Sequence, residues 1–274
     1  MSNPLLLAFA VTTGAGLATG IGAAAGLFAK RTNHLFLALA LGFSAGVMIY
    51  VSFVEIVPKA LEFLEEDWNG GEALAWMSIA FLGGLLFMAL LYRVLPDLEL
   101  PDPNKPPLAT TVNQTTTSAP PIDPVLLRAG LLVALAITLH NFPEGIAVFF
   151  LTLEDPSVGI PVGIAIALHN IPEGIAVAVP LYYALGKRVW AFVLGLASGL
   201  AEPLGALIGY AILQPFITDT VLGVLFAVVA GIMVFISLDS LLPAARQYGN
   251  GQVVIYGVIV GMAVMAASLV FFAL

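Results

Sequence analysis

The sequence predicts an all-α integral membrane protein with eight transmembrane helices, and three observations predict it. First, 60% of the 274 residues are hydrophobic and only 9% are charged, with a mean hydropathy of +1.04; a soluble domain carries about a quarter charged residues. Second, eight stretches each supply the ~20 mainly apolar residues that a membrane helix needs. Third, lysine and arginine fall almost wholly in alternate loops, as in a polytopic chain whose basic loops stay in the cytoplasm. A soluble globule is excluded, and so is disorder, which needs low hydrophobicity. The short alternating segments of an outer-membrane barrel are absent. With no cysteine, disulfides, thiolate metal sites and cysteine nucleophiles are excluded. The formal charge, 9 − 17 = −8, speaks against a nucleic-acid partner and for cationic ones.

The spans read as 4–29, 34–58, 72–95, 124–151, 158–183, 188–214, 219–243 and 250–273. The opening stretch is too long for the core of a signal peptide, and no positive charge precedes it. One set of loops carries Lys30, Arg31, Arg93, Lys105, Arg128, Lys187, Arg188 and Arg246, and the other only Lys59. Both termini are therefore expected outside the cytoplasm. The outer loops hold Glu62, Glu65, Glu66, Asp67, Glu154, Asp155 and Asp219, an acidic face that raises the local cation concentration. Acidic outer loops also follow simply from the exclusion of basic residues. Residues 1–274 read as one transmembrane domain. Residues 96–123, rich in Pro and Thr, form a flexible cytoplasmic loop between spans three and four.

Two internal repeats organise the spans. ITLHNFPEGIAVFF (137–150) matches IALHNIPEGIAVAV (166–179) at ten of fourteen positions. These are consecutive spans, so they cross in opposite directions, as in the inverted pairs of transporters. A weaker repeat joins SAGVMIYVSFVEIVP (44–58) to VAGIMVFISLDSLLP (229–243). Together they predict an inverted symmetry relating spans 1–3 to spans 6–8 and span 4 to span 5.

The chemistry lies where lipid makes it expensive. An ionisable residue at bilayer depth costs at least ~2.5–3.5 kcal/mol on insertion scales. Yet His140 and Glu144 sit in the middle of span four, and His169 and Glu173 in the middle of span five. Glu202 lies in span six, Asp239 in span seven and Glu55 in span two. A four-residue spacing puts each His and Glu on one helical face, with Asn141 and Asn170 one step round as neutral oxygen donors. Pro143 and Pro172 each remove a helix hydrogen bond and bend the backbone, freeing the carbonyls of Leu139 and Leu168. Two such helices face to face present imidazoles, carboxylates and amides to one point. Imidazole suits zinc, iron or nickel, carboxylate suits manganese or magnesium, and without a thiolate the set does not suit Cu(I).

At these residues the sequence resembles the ZIP (Zrt-, Irt-like protein) family of divalent metal transporters, most closely its bacterial ZupT-like branch. HNFPEG and HNIPEG carry the resemblance, which extends over essentially the whole chain: eight spans, outer termini and a long variable loop after span three. It implies a mid-membrane, binuclear metal site of His140, Asn141, Glu144, His169, Asn170, Glu173 and the Glu202 of SGLAEPLGA. It adds Met48 of SAGVM as a contributor to the transport site. It also implies a homodimer, and an elevator-like motion of spans one, four, five and six against two, three, seven and eight. Two departures stand out. The loop, histidine-rich in many relatives, has no histidine here. Span seven reads SLDSLLP, where relatives often place a Glu after the Asp, so any role of this span in the pathway rests on Asp239.

The expected function is uptake of Zn²⁺, with Fe²⁺, Mn²⁺, Co²⁺ and Cd²⁺, across a bacterial inner membrane, with no enzymatic activity and no prosthetic group. A channel or exporter using the same site is the nearest rival, and vectorial flux separates the two. An intramembrane metallohydrolase is the other, but the chain lacks HExxH and every candidate carboxylate is needed as a ligand.

Overall fold

The computed structural model describes residues 3–26, 28, 34–94 and 124–273. Among them there is no strand, and eight helices are long and apolar enough to cross a membrane. They are α1 (Pro4–Gly26), α2 (His34–Asp67), α3 (Gly70–Val94), α4 (Pro124–Glu154), α5 (Pro156–Leu185), α6 (Arg188–Ile212), α7 (Asp219–Tyr248) and α8 (Gly251–Ala273). The loop expected over 96–123 lies outside the described residues.

The connections are short because the residues between helices also cap them. Asp155 alone separates α4 from α5, and its Oδ1 accepts from Ser157 N (2.8 Å) and Ser157 Oγ (2.6 Å), with Pro156 following as the opening residue of α5. Side-chain oxygens of Asn69, Thr218 and Asn250 do the same for α3, α7 and α8. These acceptors satisfy N–H groups that a helix start leaves without a partner. At the other end of α5, Gly186 takes a left-handed conformation (φ 65°) and returns its N–H to Tyr182 O at 2.8 Å, a conformation open to glycine at little cost.

Two helices outrun their expected spans. α2 continues from 58 to Asp67 and α7 from 243 to Tyr248. The expected ends were prolines, Pro58 and Pro243, and each is absorbed by a wide π-helical turn just before it, Ser52–Ile56 and Ser237–Leu241. Val57 N–H reaches Ser52 O, and Leu242 N–H reaches Ser237 O. The extra residue in the turn moves the backbone away from the proline ring, so the helix resumes. Glu62, Glu65, Glu66 and Asp67 therefore ride on the end of α2 instead of in a loop. The two turns occupy matching positions in the weaker repeat. Ser52 Oγ donates to Met48 O (2.7 Å) and Ser237 Oγ to Met233 O (2.8 Å), with both methionines fully buried. Pro143 and Pro172, expected to bend the backbone, lie inside uninterrupted helices. Irregular turns fall at Ser52–Ile56 and Ser237–Leu241, and at Leu200 and Gly209–Leu213 of α6.

Packing divides the helices into two sets. α1, α4, α5 and α6 pack extensively on one another; α2 packs on α7 and α8, and α3 on α7; α2, α7 and α8 meet α5 and α4 along a thinner seam. Small residues let backbones touch within each set. Gly174 of α5 seats against Thr19 O of α1, and Gly46 of α2 against Val258 O of α8, where a Cβ has no room. α3 and α8 expose apolar side chains such as Leu82, Leu86, Ile259 and Val260, as membrane-facing helices do.

Candidate metal centre

The duplicated motifs meet in the middle of α4 and α5, and they meet crosswise. His140 Nε2 of α4 lies 2.9 Å from Glu173 Oε1 of α5, and His169 Nε2 of α5 lies 3.0 Å from Glu144 Oε1 of α4. The spacing explains the crossing. Each helix offers an imidazole and a carboxylate one turn apart on one face, and antiparallel neighbours set each imidazole opposite the other's acid. His140, His169 and Glu173 are fully buried, and Glu144 is 1% exposed.

The asparagines turn outward from this pairing and fasten the two helices to third partners. Asn141 Nδ2 donates to Ser198 O of α6 at 3.2 Å. Asn170 Nδ2 donates to Ala15 O of α1 at 2.9 Å and also to Glu202 Oε1 of α6. Glu202 is fully buried and lies within electrostatic reach of Glu144 and Glu173. Its helix comes close because Gly145 of α4 seats on the Glu202 backbone and Gly205 of α6 on Phe142 O.

Several buried polar atoms have no hydrogen-bond partner: Glu144 Oε2, Glu173 Oε2, Glu202 Oε2, Asn141 Oδ1, Asn170 Oδ1 and His169 Nδ1. Leaving such an atom unsatisfied costs about 1–3 kcal/mol. All but one are oxygens, and all belong to residues that carry lone pairs suited to a divalent cation. The side chains are nonetheless joined in pairs. Among the described residues no three His, Asp or Glu side chains are gathered as a ready cage for a metal ion. Each of the three carboxylates engages an imidazole or an amide.

Two other predicted residues are placed differently. Met48 of α2 is fully buried, and its carbonyl receives the Ser52 hydroxyl. Asp239 is exposed in the wide turn of α7, beside Tyr92 of α3, and none of the cluster's hydrogen bonds reaches it. Ser240, its neighbour, is 2.8 Å from Tyr92 Oη. Glu55 is better placed than its position near a span end suggested. Its Oε2 is buried without a partner, and it lies within electrostatic reach of His169 and Glu144. The carbonyls of Ala15 and Ser198 had no side-chain signal by which the sequence could announce them.

Comparison with known proteins identifies the family. Residues 102–269 match the family described as ZIP Zinc transporter. The chain is 52% identical to the protein named Zinc transporter ZupT of Lysinibacillus sphaericus over 271 residues, covering 98% of this chain and 99% of the relative. It is 53% identical to the one of Nitratidesulfovibrio vulgaris (98% of each chain) and 49% identical to the one of Streptococcus mutans (99% and 100%). With its duplicated motif paired across two buried helices and relatives matched end to end, the chain belongs to the ZIP zinc transporter family.

Proposed function

We propose that this protein is an uptake transporter that carries Zn²⁺ to the cytoplasm through the paired motifs of α4 and α5, and that it also accepts Fe²⁺, Mn²⁺, Co²⁺ and Cd²⁺. The observation that carries the reading is the crossed pairing of two buried histidines with two buried glutamates, ringed by acceptor oxygens without donors. In lipid such groups are costly, and they mark a functional site by default. The cation is drawn to the acid-rich outer end of α2, sheds water and takes His140, Asn141, Glu144, His169, Asn170, Glu173 and Glu202 as ligands, with Met48 at the flank. Duplication supports a binuclear site, and the mixed nitrogen and oxygen donors support broad selectivity. Asp239 is assigned to the cytoplasmic release path.

Proton exchange follows from the pairing. Each Nε2–Oε1 contact holds one proton, whichever atom carries it. A metal that takes both atoms must expel that proton. Binding is therefore expected to release up to two protons, and acidification to weaken apparent affinity. The inverted repeats supply the symmetry that alternating access requires. Basic loops on one side support outer termini and the inner membrane of a bacterium. The apolar faces of α3 and α8 support contact with lipid, and with a second copy in a homodimer.

The test is initial Zn²⁺ uptake into proteoliposomes, with and without an inward proton gradient, for the wild type and Glu144→Ala/Glu173→Ala. Saturable inward flux is expected, and its loss in the double variant. Flux that survives in the variant overturns the site. Flux in the outward direction alone, or unsaturable flux, turns the reading to an exporter or a channel.

A further inference from the structure

The seam between the two helix sets is built differently from their interiors. Wherever a Cβ added to a described glycine meets another helix's backbone, that helix belongs to the same set: Gly22 and Gly174 join α1 to α5, Gly145 joins α4 to α6, Gly46 joins α2 to α8, and Gly84 joins α3 to α7. Backbones interlocked in this way resist sliding. The seam has no such seat among the described residues, and one side-chain hydrogen bond between described residues crosses it. Ser44 Oγ of α2 donates to Pro172 O of α5 at 2.7 Å, with both residues buried.

This bond departs from what most serine and threonine hydroxyls buried in the helices do. Thr12, Ser52, Thr138, Thr152, Ser237 and Ser268 each donate to the carbonyl four residues back in their own helix, the usual local option. Ser44 has that option at Ala40 and reaches across the seam instead. The carbonyl it finds belongs to the proline of HNIPEG, next to Glu173 and three residues from His169. We propose that Ser44 is a positioning residue: its hydroxyl pins the α5 half of the metal motif to α2 and sets how readily the two helix sets slide past each other. The proposal rests on the transport reading, but its physical content is a link across the seam that can be measured without metal.

The chain's lack of cysteine gives a direct test. Ala40→Cys places one thiol a turn from Ser44 on the same face of α2, at a buried position. Its alkylation rate in proteoliposomes reports seam opening. Adding Ser44→Ala is expected to raise that rate about fivefold, the effect of losing one net hydrogen bond. Ser237→Ala, which removes an equally buried hydroxyl bonded within its own helix, is expected to leave the rate within twofold. In zinc flux, Ser44→Ala should change the maximal rate severalfold while KM stays within twofold, because no proposed ligand is touched. An unchanged alkylation rate in folded Ser44→Ala protein overturns the proposal, and so does an equal rise with Ser237→Ala. If Ser44→Ala does not fold, Ser44→Thr and Ser44→Val, equal in shape and differing in the hydroxyl, replace it, with the faster rate expected for valine. Absence of zinc flux in every variant, with the alkylation difference intact, rejects the transport reading and leaves the link standing.

Discussion

The α4 and α5 motifs share their sequence but not their surroundings. Both present His, Asn, Pro and Glu in the same order, and each pairs its histidine with the other's glutamate. Beyond that the likeness ends. His140 Nδ1 is 3.3 Å from Ala136 O, while His169 Nδ1 has no partner. Asn141 holds one carbonyl of α6; Asn170 holds a carbonyl of α1 and the Glu202 carboxyl as well. A duplicated motif thus gains two unlike surroundings because different third helices back its two copies. α4 has a second tether for its histidine, and α5 has an extra acid at its asparagine.

The largest expected effect tests the shared part. Glu144→Ala and Glu173→Ala should each reduce zinc uptake at least ~10–100-fold, since each removes a proposed ligand and strips a histidine of its partner. Thermal unfolding in detergent then sharpens the comparison. Glu144→Ala leaves His169 with no partner on either nitrogen, whereas Glu173→Ala leaves His140 tethered to Ala136. The former should be less stable, by about 1–3 kcal/mol; the reverse order breaks the account of the two halves.

Glu202→Gln comes next. The amide keeps an acceptor for Asn170 but loses the charge, so equilibrium zinc affinity should fall about tenfold with little change in melting temperature. An unaltered affinity removes Glu202 from the site. Smaller still is the contrast between the asparagines. Asn170→Ala loses two hydrogen bonds and Asn141→Ala one, so destabilisations of about 2 and about 1 kcal/mol are expected by thermal unfolding. Equal losses indicate that the contact with Glu202 adds nothing to folding.

The smallest effect concerns Asp155, the cap between the two motifs. Hydrogen bonds from the side chain and backbone of Ser157 hold its carboxyl below the usual 3.8. A lowered folded-state pKa stabilises the fold above the unfolded value and loses that contribution as pH falls through the folded one. Asp155→Ala should therefore lower the melting temperature slightly at neutral pH. The difference from wild type should vanish only in acid below about pH 3.8; a difference that persists there points to packing instead of the charge.

Much of this architecture was legible because lipid is a demanding solvent. A helix must bring its own backbone hydrogen bonds, so apolar length alone marked out eight spans, and polar residues inside them marked the candidate site. Helix ends at Pro58 and Pro243 were misread for a local reason: proline normally ends a helix, but one extra residue in the preceding turn hides the clash, and no residue type encodes that turn. His140, Glu144, His169 and Glu173 were readable from their spacing, but their crosswise pairing was not, because it depends on how α4 and α5 meet. Ser44 was not readable at all. A serine on an apolar helix carries no mark of whether its hydroxyl folds back on its own backbone or reaches a neighbour.

The unequal lengths of the helices have a mechanical consequence. The crossing segment of α2 has 34 residues, that of α3 has 24 and that of α8 has 21. At ~1.5 Å per residue α2 is about 51 Å long and α8 about 32 Å, against a hydrocarbon layer of ~30 Å. On the proposed topology α8 is close in length to that layer, while α2 is longer by about 20 Å and carries its acidic side chains on the excess turns. Bilayer thickness acts on the two kinds of helix unequally. On that topology a thicker membrane stretches the mismatch at α8 and submerges the charged end of α2, at fractions of a kcal/mol per Å, so zinc uptake is expected to vary with lipid chain length.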